Sequence, residues 1–413
     1  MFAESFAKKC LLPIAADLQV NPQAQDVAYP QVKAVGTVTP TRTKSGVFGW
    51  FFGGKNESIK QETSESGKKL GGGGASSVER PLSVEDFDLL NVVGKGAFGK
   101  VMLVRKKVSA GGEGAGEVYA MKVLKKSVIK DKGQIEHTKS ERAILNEIKH
   151  PYIVQLRFAF QNEEKLYLVT DYYNGGTLFY HLRKANYFSE QRAKFYAAEL
   201  LSALAHLHQQ AIIYRDLKLE NILMGHTGHI ALTDFGLSKQ GVDSSGGAET
   251  FCGTAEYIAP ELLKNQKYGP AVDWWSFGIL VFEMLQGRTP FYDKNRKLMY
   301  YRIVNTLPCF PSTFSPEACD TIRGLLEVDV VKRLGSQDAT DIMASPFFQD
   351  LDFEKVRKGA YPVPFVPDVA SEVDTKYVPK SYLNVQAKDS VAVASDSSNT
   401  TDFGDEFNFN GSK

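Results

Sequence analysis

The chain changes hydrophobic period once, at Asn174-Gly175-Gly176, and that change limits its folds more than any other feature. Before it, FDLLNVV (from Phe87), KVMLVRK (to Lys106) and VYAMKVL (to Leu124) are short, β-branched and turn-bounded, as strands are. GGEGAG, Gly111 to Gly116, is the loop joining the second to the third. Gln134 to Ile148 places Ile135, Ile144, Leu145 and Ile148 at helical spacing, and YIVQLRFAF and KLYLVTDYY then return to strand character. After the glycine pair the period is helical. Ser189 caps a long apolar stripe ending at Gln210, and Val272 to Leu285 (VDWWSFGILVFEML) is apolar almost all round, so it predicts a buried central helix. The expected fold is α+β: a small strand-rich lobe, a larger helical lobe and a cleft between them. Beyond Phe348 the chain becomes rich in Pro and Ser and loses its period.

Residues 1–82 have a different texture, rich in Gly, Ser, Thr, Gln and Lys and closing on Gly71 to Gly74, which reads as a flexible arm. A lipidated Cys10, or membrane contact through GVFGWFF (Gly46 to Phe52), is the lesser alternative. Lys plus Arg number 49 and Asp plus Glu 48, so no basic surplus points to nucleic acid. Cys10, Cys252, Cys309 and Cys319 form no CxxC pair, which suits reduced thiols in an intracellular, cytoplasmic protein, with the nucleus also open to it. The sequons at Asn56 and Asn399 are short patterns of the kind that arise by chance.

Chemistry-bearing residues recur along this frame. Gly94-Lys95-Gly96-Ala97-Phe98-Gly99 fits GxGxxG between two strands: a phosphate cradle, or an ordinary glycine hairpin. Lys122 sits among apolar neighbours in VYAMKVL: an edge-strand lysine, or an inward ammonium needing an anion such as Glu141 or a phosphate. Asp234-Phe235-Gly236 follows the strand HIALT: a turn, or a magnesium ligand. YRDLKLENIL sets Asp216, Lys218 and Asn221 in a six-residue span flanked by apolar runs, an awkward sequence for a core. Singly these are weak signals; their joint order, closed by Ala259-Pro260-Glu261, is not a coincidence of chance.

Taken together, the set resembles that of the protein kinases, over a catalytic domain at 87–348 with lobes at 87–170 and 174–348. The resemblance implies transfer of the ATP γ-phosphoryl group with Mg2+. It makes Asp216 the base for the substrate hydroxyl, Lys218 a cation at the transferring group, Asn221 and Asp234 metal ligands, and Lys122, held by Glu141, the grip on the α- and β-phosphates. Val93, Val101, Ala120, Leu223 and Thr233 would sandwich adenine, beside backbone bonds from Asp171 and Tyr173, with Thr170 a small residue at the back. An intact set argues against a nucleotide-binding pseudokinase scaffold, the alternative reading.

Tyr214 before Arg215-Asp216, the segment Thr250 to Glu261, and a tail at 349–413 with Pro364-Phe-Val-Pro367 are similar to the AGC serine/threonine kinases. That implies activation by an upstream kinase at Thr250, whose phosphate would pair with Arg215, Lys239 and His137. Glu220 and Glu283 would receive arginines of basic protein substrates, whereas Thr177 stands where the branch often has Glu. Glu261 would brace Arg333, and Asp273 the catalytic loop. Phe407 and Phe409 lie in register with an aromatic docking motif, with Asn408 at its phosphosite and Phe403 displaced by one. Tyr382 is the substitute for an aromatic lid over the nucleotide.

Overall fold

The computed structural model describes residues 80–96, 98–242, 247–248, 250, 252–389 and 403–411. The expectations for residues 1–79, including Cys10, GVFGWFF and Asn56, and those for Ala97 and Asn399, lie outside the described residues. No helix among the described residues is long and apolar enough to cross a membrane.

Five strands, β1 (Phe87–Lys95), β2 (Gly99–Lys106), β3 (Val118–Lys125), β4 (Leu156–Gln161) and β5 (Lys165–Asp171), form one antiparallel sheet ordered β1-β2-β3-β5-β4. Strand alternation divides its faces. Met102, Met121, Val123 and Val169 turn one way, into a core with Phe87, Tyr119, Phe158, Phe160 and Tyr167. Val101, Ala120 and Lys122 turn the other way and are half-buried. Leu82, at the end of the expected arm, already packs against that core. Helices α1 (Lys126–Asp131) and α2 (Ile135–Glu147) follow β3. On α2, Thr138, Glu141 and Leu145 fall at helical spacing and are buried, so the stripe that seats the helix carries a carboxylate with it.

The large lobe opens with α3 (Leu178–Ala185), where the Thr177 hydroxyl caps the helix by accepting from the Tyr180 N–H at 3.1 Å. Ser189 caps α4 (Glu190–Gln209) in the same way. Short pairs β6 (Ile212–Ile213) with β9 (Lys239–Gln240), and β7 (Ile222–Met224) with β8 (Ile230–Leu232), bracket the YRDLKLENIL loop and the DFG turn. Then come α5 (Pro260–Leu263), α6 (Ala271–Gln286), α7 (Arg296–Asn305), α8 (Pro316–Leu325), α9 (Ala339–Met343) and α10 (Phe353–Arg357). Every residue of α6 from Ala271 to Leu285 is buried, Asp273 included, as its all-round apolar sequence predicts.

The tail crosses the link between the lobes and returns to the small lobe. A Cβ on Gly175 would meet Pro367, and one on Gly176 would meet Tyr377. Asn174 donates to the carbonyl of Ser371 at 3.1 Å, and Tyr172 to that of Asp374 at 3.1 Å. In α11 (Lys380–Leu383), Tyr382 packs with Val385 against the β-sheet core, the face turned away from Val101 and Ala120. It is therefore no lid over a nucleotide, because an apolar side chain next to β1 gains more from that packing. Asp389 receives Lys165 Nζ and Tyr167 OH, each at 2.8 Å.

The end of the tail docks. Phe403 and Phe407 are buried, and Phe409 adds to the β4 edge through two backbone bonds with Ala159, at 2.7 and 2.8 Å. Arg142 donates to the carbonyls of Phe407 and Asn408. The displaced register of Phe403 is absorbed by Gly404, whose φ of 75° lets the chain turn its aromatic inward. Phe407→Ala should release this end, with the Phe409 amide exchanging its hydrogen at least about tenfold faster, whereas exposed Asn408→Ala leaves it protected. Equal protection in both variants would contradict this docking.

Candidate active site

The two lobes bring the candidate residues to facing sides of one cleft, whose inner end is a cavity of about 290 Å³ lined by Gly96, Phe98, Lys122, Glu141, Asp216 and Asp234, among others. On the small-lobe side, Lys122 Nζ lies 2.6 Å from Glu141 Oε1 and 3.4 Å from Asp234 Oδ1. Burial acts to lower the Lys122 ammonium, but the two carboxylates outweigh it and hold the group well above its ordinary value. Lys122 in turn holds Asp234 below the usual carboxylate range. The lysine is inward and paired, and the edge-strand alternative falls.

The glycine loop is a β-hairpin, with the Gly96 N–H donating to the Gly99 carbonyl at 3.0 Å. A Cβ on Gly96 would meet nothing within 4 Å, so that position is open to the cleft. Gly99 is different: its Cβ would lie 1.8 Å from the Val123 carbonyl oxygen, so the bare position is required by the approach of β2 to β3. Lys95 is exposed and pairs in register with Lys100; Phe98 is partly buried with Lys132 over its ring.

On the large-lobe side the awkward stretch is held from beneath. Asp273, fully buried on α6, accepts from the backbone N–H of Tyr214 and of Arg215 and from His208 Nε2, each at 2.8 Å. This stations Asp216 at the cleft. Lys218 Nζ is 2.6 Å from Asp216 Oδ2, Asn221 Nδ2 donates to the same oxygen at 2.9 Å, and the Thr254 hydroxyl donates to Oδ1 at 2.9 Å. Arg215 and Asp234 adopt left-handed φ values of 70° and 61°. Such backbone costs roughly 1–3 kcal/mol for a non-glycine residue and persists where the surroundings over-determine it.

Between the lobes, Val93, Val101, Ala120, Leu223 and Thr233 are half-buried around the link, with Ala120 opposite Thr170 across β3 and β5. The Tyr173 N–H meets no protein acceptor among the described residues. The Asp171 N–H is already given to Gln155, its carbonyl accepts from the Thr170 hydroxyl at 3.4 Å, and its side chain is tied to Arg157 at 2.6 Å.

Asn221 and Asp234 are a fit for a hard cation. Asn221 spends its amide hydrogens on Asp216, which leaves its carbonyl oxygen available, and the Asp234 carboxylate is half-exposed in the cleft. Two oxygen donors suit magnesium, which takes few protein ligands and completes its shell with phosphate and water.

Outside this centre the placement is mixed. Thr250 is exposed; its carbonyl accepts from Tyr268 OH at 2.7 Å, and Tyr268 OH accepts from Arg215 Nη1 at 3.0 Å, so one tyrosine bridges the two. His137 bonds Gln134 at 2.6 Å, and Lys239 lies in β9 with its backbone opposite Ile213. Glu220 is exposed and Glu283 buried, bonded by the Tyr257 hydroxyl. Burial pushes the Glu283 carboxyl up to about 7, with Glu220 and Glu256 adding to the rise. Thr254, Tyr257, Tyr268 and His208 are the contributors that sequence reasoning missed; the first two sit inside the segment Thr250 to Glu261, which is the signal that was there to use.

A family profile described as "Protein kinase domain" matches residues 87–348. Among curated proteins, the chain is similar to "Protein kinase 2" of Dictyostelium discoideum, 47% identical over 320 residues, covering 78% of this chain and 65% of that protein. It is 48% identical over 313 residues to a "RAC family serine/threonine-protein kinase homolog" of the same organism, covering 75% and 68%. It is 44% identical over 304 residues to human "RAC-beta serine/threonine-protein kinase", covering 73% and 62%. The chain spans about half to two thirds of the length of the curated relatives it matches.

Proposed function

This chain belongs to the protein kinase family, in its AGC serine/threonine branch, and from that premise we propose that it transfers the γ-phosphoryl group of ATP to serine and threonine hydroxyls in basic protein segments. The observation that carries the reading is the facing of two clusters: Asp216 with Lys218, Asn221 and Thr254 on the large lobe, and Lys122 with Glu141 on the small lobe, joined across the cleft by the Lys122 contact to Asp234 of the large lobe.

Asp216 Oδ accepts the proton of the substrate hydroxyl as its oxygen bonds to the γ-phosphorus and the bond to the bridging β,γ-oxygen breaks, releasing ADP. Lys218, already within reach of Asp216 and Thr254, places a positive charge where the three parties meet. Lys122 holds the nucleotide's phosphates in line, its direction fixed by Glu141. Opposite charges about 4 Å apart attract by roughly 4 kcal/mol at an effective dielectric near 20, so this geometry is worth holding rigid. Magnesium, held by Asn221 and Asp234, would supply charge neutralisation at the phosphates. The Tyr173 N–H and Asp171 carbonyl would take the adenine edge.

Glu220 and Glu283 are the receivers proposed for substrate arginine, and Thr250 the site at which an upstream kinase switches the enzyme on. Tyr268 links the backbone carbonyl of Thr250 to Arg215, which supports Arg215 as a cation for a phosphate on Thr250. The reading is tested by transfer of labelled phosphate from ATP to an arginine-rich serine peptide, before and after phosphorylation of Thr250. Transfer with neither form refutes it.

A pH dependence accompanies this assignment. Below about 7 Glu283 takes up a proton in the free enzyme, and a neutral carboxyl attracts arginine less. The KM for an arginine peptide should therefore rise, by about tenfold between pH 7.5 and pH 6, while the KM for ATP stays level. A Glu283→Gln enzyme should show the higher KM at both pH values. A flat profile in the wild type would remove Glu283 from arginine recognition.

A further inference from the structure

A second cavity, larger than the one in the cleft, lies elsewhere. It lies in the large lobe, about 410 Å³, between α4 and the start of the tail. Phe195 and Ala198 on α4 form one wall, and Leu351, Val356, Tyr361 and Pro362 the other. Nothing in the phosphoryl-transfer site reaches it. Its size and its apolar walls, interrupted by Glu190, Lys194, Glu199, His229 and Asp350, are those of a small-molecule site.

The polar groups are specific. Glu199, buried on α4, accepts from His229 Nδ1 at 2.6 Å and from the Ile230 N–H at 3.1 Å. The Glu199 hydrogen bond, then its charge, holds His229 above its ordinary range, so both ring nitrogens carry hydrogen over more of the neutral range. His229 Nε2 has no protein acceptor among the described residues. The space beside it is kept open by Gly359, whose Cβ would lie 3.6 Å from Nε2. The ring is 28% exposed, so this nitrogen is a donor that a ligand in the cavity can take in place of water. Lys194 adds a second positive charge at the rim. Its ionic partner, Asp350, is itself 62% exposed, and such surface pairs hold weakly. Of the remaining acidic groups, Glu190 caps the Ser315 N–H at 2.6 Å and Glu199 is filled by His229 and Ile230. Tyr152 gives its hydroxyl hydrogen to the Val356 carbonyl.

We propose that this cavity binds a small carboxylate with a flat apolar body, its charge received by His229 Nε2–H and Lys194 and its body lying between Phe195 and Tyr361. A phosphate dianion fits less well, because one open donor and one shared lysine cannot replace its hydration.

The test uses the full chain and 2-naphthoate as probe, with its methyl ester as the neutral match, by calorimetry and ligand-observed NMR. Saturable binding of the acid is expected, with the ester weaker by about tenfold or more, the scale of a charge-assisted hydrogen bond. His229→Gln should weaken the acid by a similar factor. Ala198→Leu, which fills the cavity from the α4 wall and leaves the His229–Glu199 pair whole, should abolish binding while nucleotide affinity is retained. A saturating ATP analogue should not displace the probe, which separates this site from the kinase cleft whichever way the transfer assay falls. Failure of the acid to bind, equal binding by the ester, unchanged binding in Ala198→Leu, or displacement by the ATP analogue would each overturn the assignment.

Discussion

Asp216→Asn should leave a folded, nucleotide-binding protein in which phosphate transfer is slower by about 10²–10⁴-fold, the range supplied by a positioned general base. The substitution is nearly isosteric. What changes is chemistry: Asp216 now accepts from Lys218 and Asn221 at Oδ2 and from Thr254 at Oδ1, three donors around two anionic oxygens. An amide can accept on one side only, so one of these partners faces an N–H instead, and no oxygen remains that can take a proton from a substrate hydroxyl. The loss should fall on kcat, with the KM for ATP close to unchanged, because Lys122 and Glu141 are untouched. Equal turnover in wild type and variant would sink the mechanism. A rise in the KM for ATP alone would place Asp216 in nucleotide binding rather than in the chemical step.

Much of this centre was legible because it depends on short-range pattern. Strand alternation alone puts Lys122 on the face opposite Met121 and Val123, and helical spacing alone puts Glu141 in the buried stripe of α2. The two meet because both elements must cover the same sheet. What stayed hidden depends on residues far apart in sequence. Thr254 reaches Asp216 across 38 positions, and Tyr268 reaches Arg215 across 53, and no local period encodes either distance. Gly99 carries a second requirement that residue type did not show: it lines the cleft, and the atom a Cβ would strike belongs to the neighbouring strand. Tyr382 was misplaced for a related reason: an aromatic in an irregular tail carries no period to say which face it meets, and the sheet core won it. The roles of His137 and Lys239 belong to a phosphorylated arrangement, which no local period encodes.

Arg333→Met should destabilise the fold by about 3–5 kcal/mol, the usual consequence of leaving one member of a buried ion pair without its partner. The pair is deep and bidentate: Arg333 Nη1 and Nη2 lie 2.7 and 2.9 Å from the two Glu261 oxygens, and both side chains are nearly inaccessible. The guanidinium also donates to the carbonyls of Ala271 and Glu327, so it ties the start of α6 to the loop after α8. Glu261 has no comparable second side-chain anchor among the described residues. Removing the arginine, whose guanidinium lies over the Trp275 ring, strands a buried carboxylate, whereas removing both charges in Glu261→Leu with Arg333→Met replaces them by apolar volume. The double variant should therefore recover most of the loss, and a double-mutant cycle by chemical denaturation should return a coupling of a few kcal/mol. Transfer activity is expected to recover less than stability. Glu261 lies on α5 directly after the segment that seats Thr254 on Asp216 and Tyr257 on Glu283, and apolar packing can hold a helix without fixing its orientation as a two-bond ionic fork does. Additive single-variant losses would mean that the pair contributes nothing jointly, and full recovery of activity in the double variant would mean that its geometry does not position the segment at all.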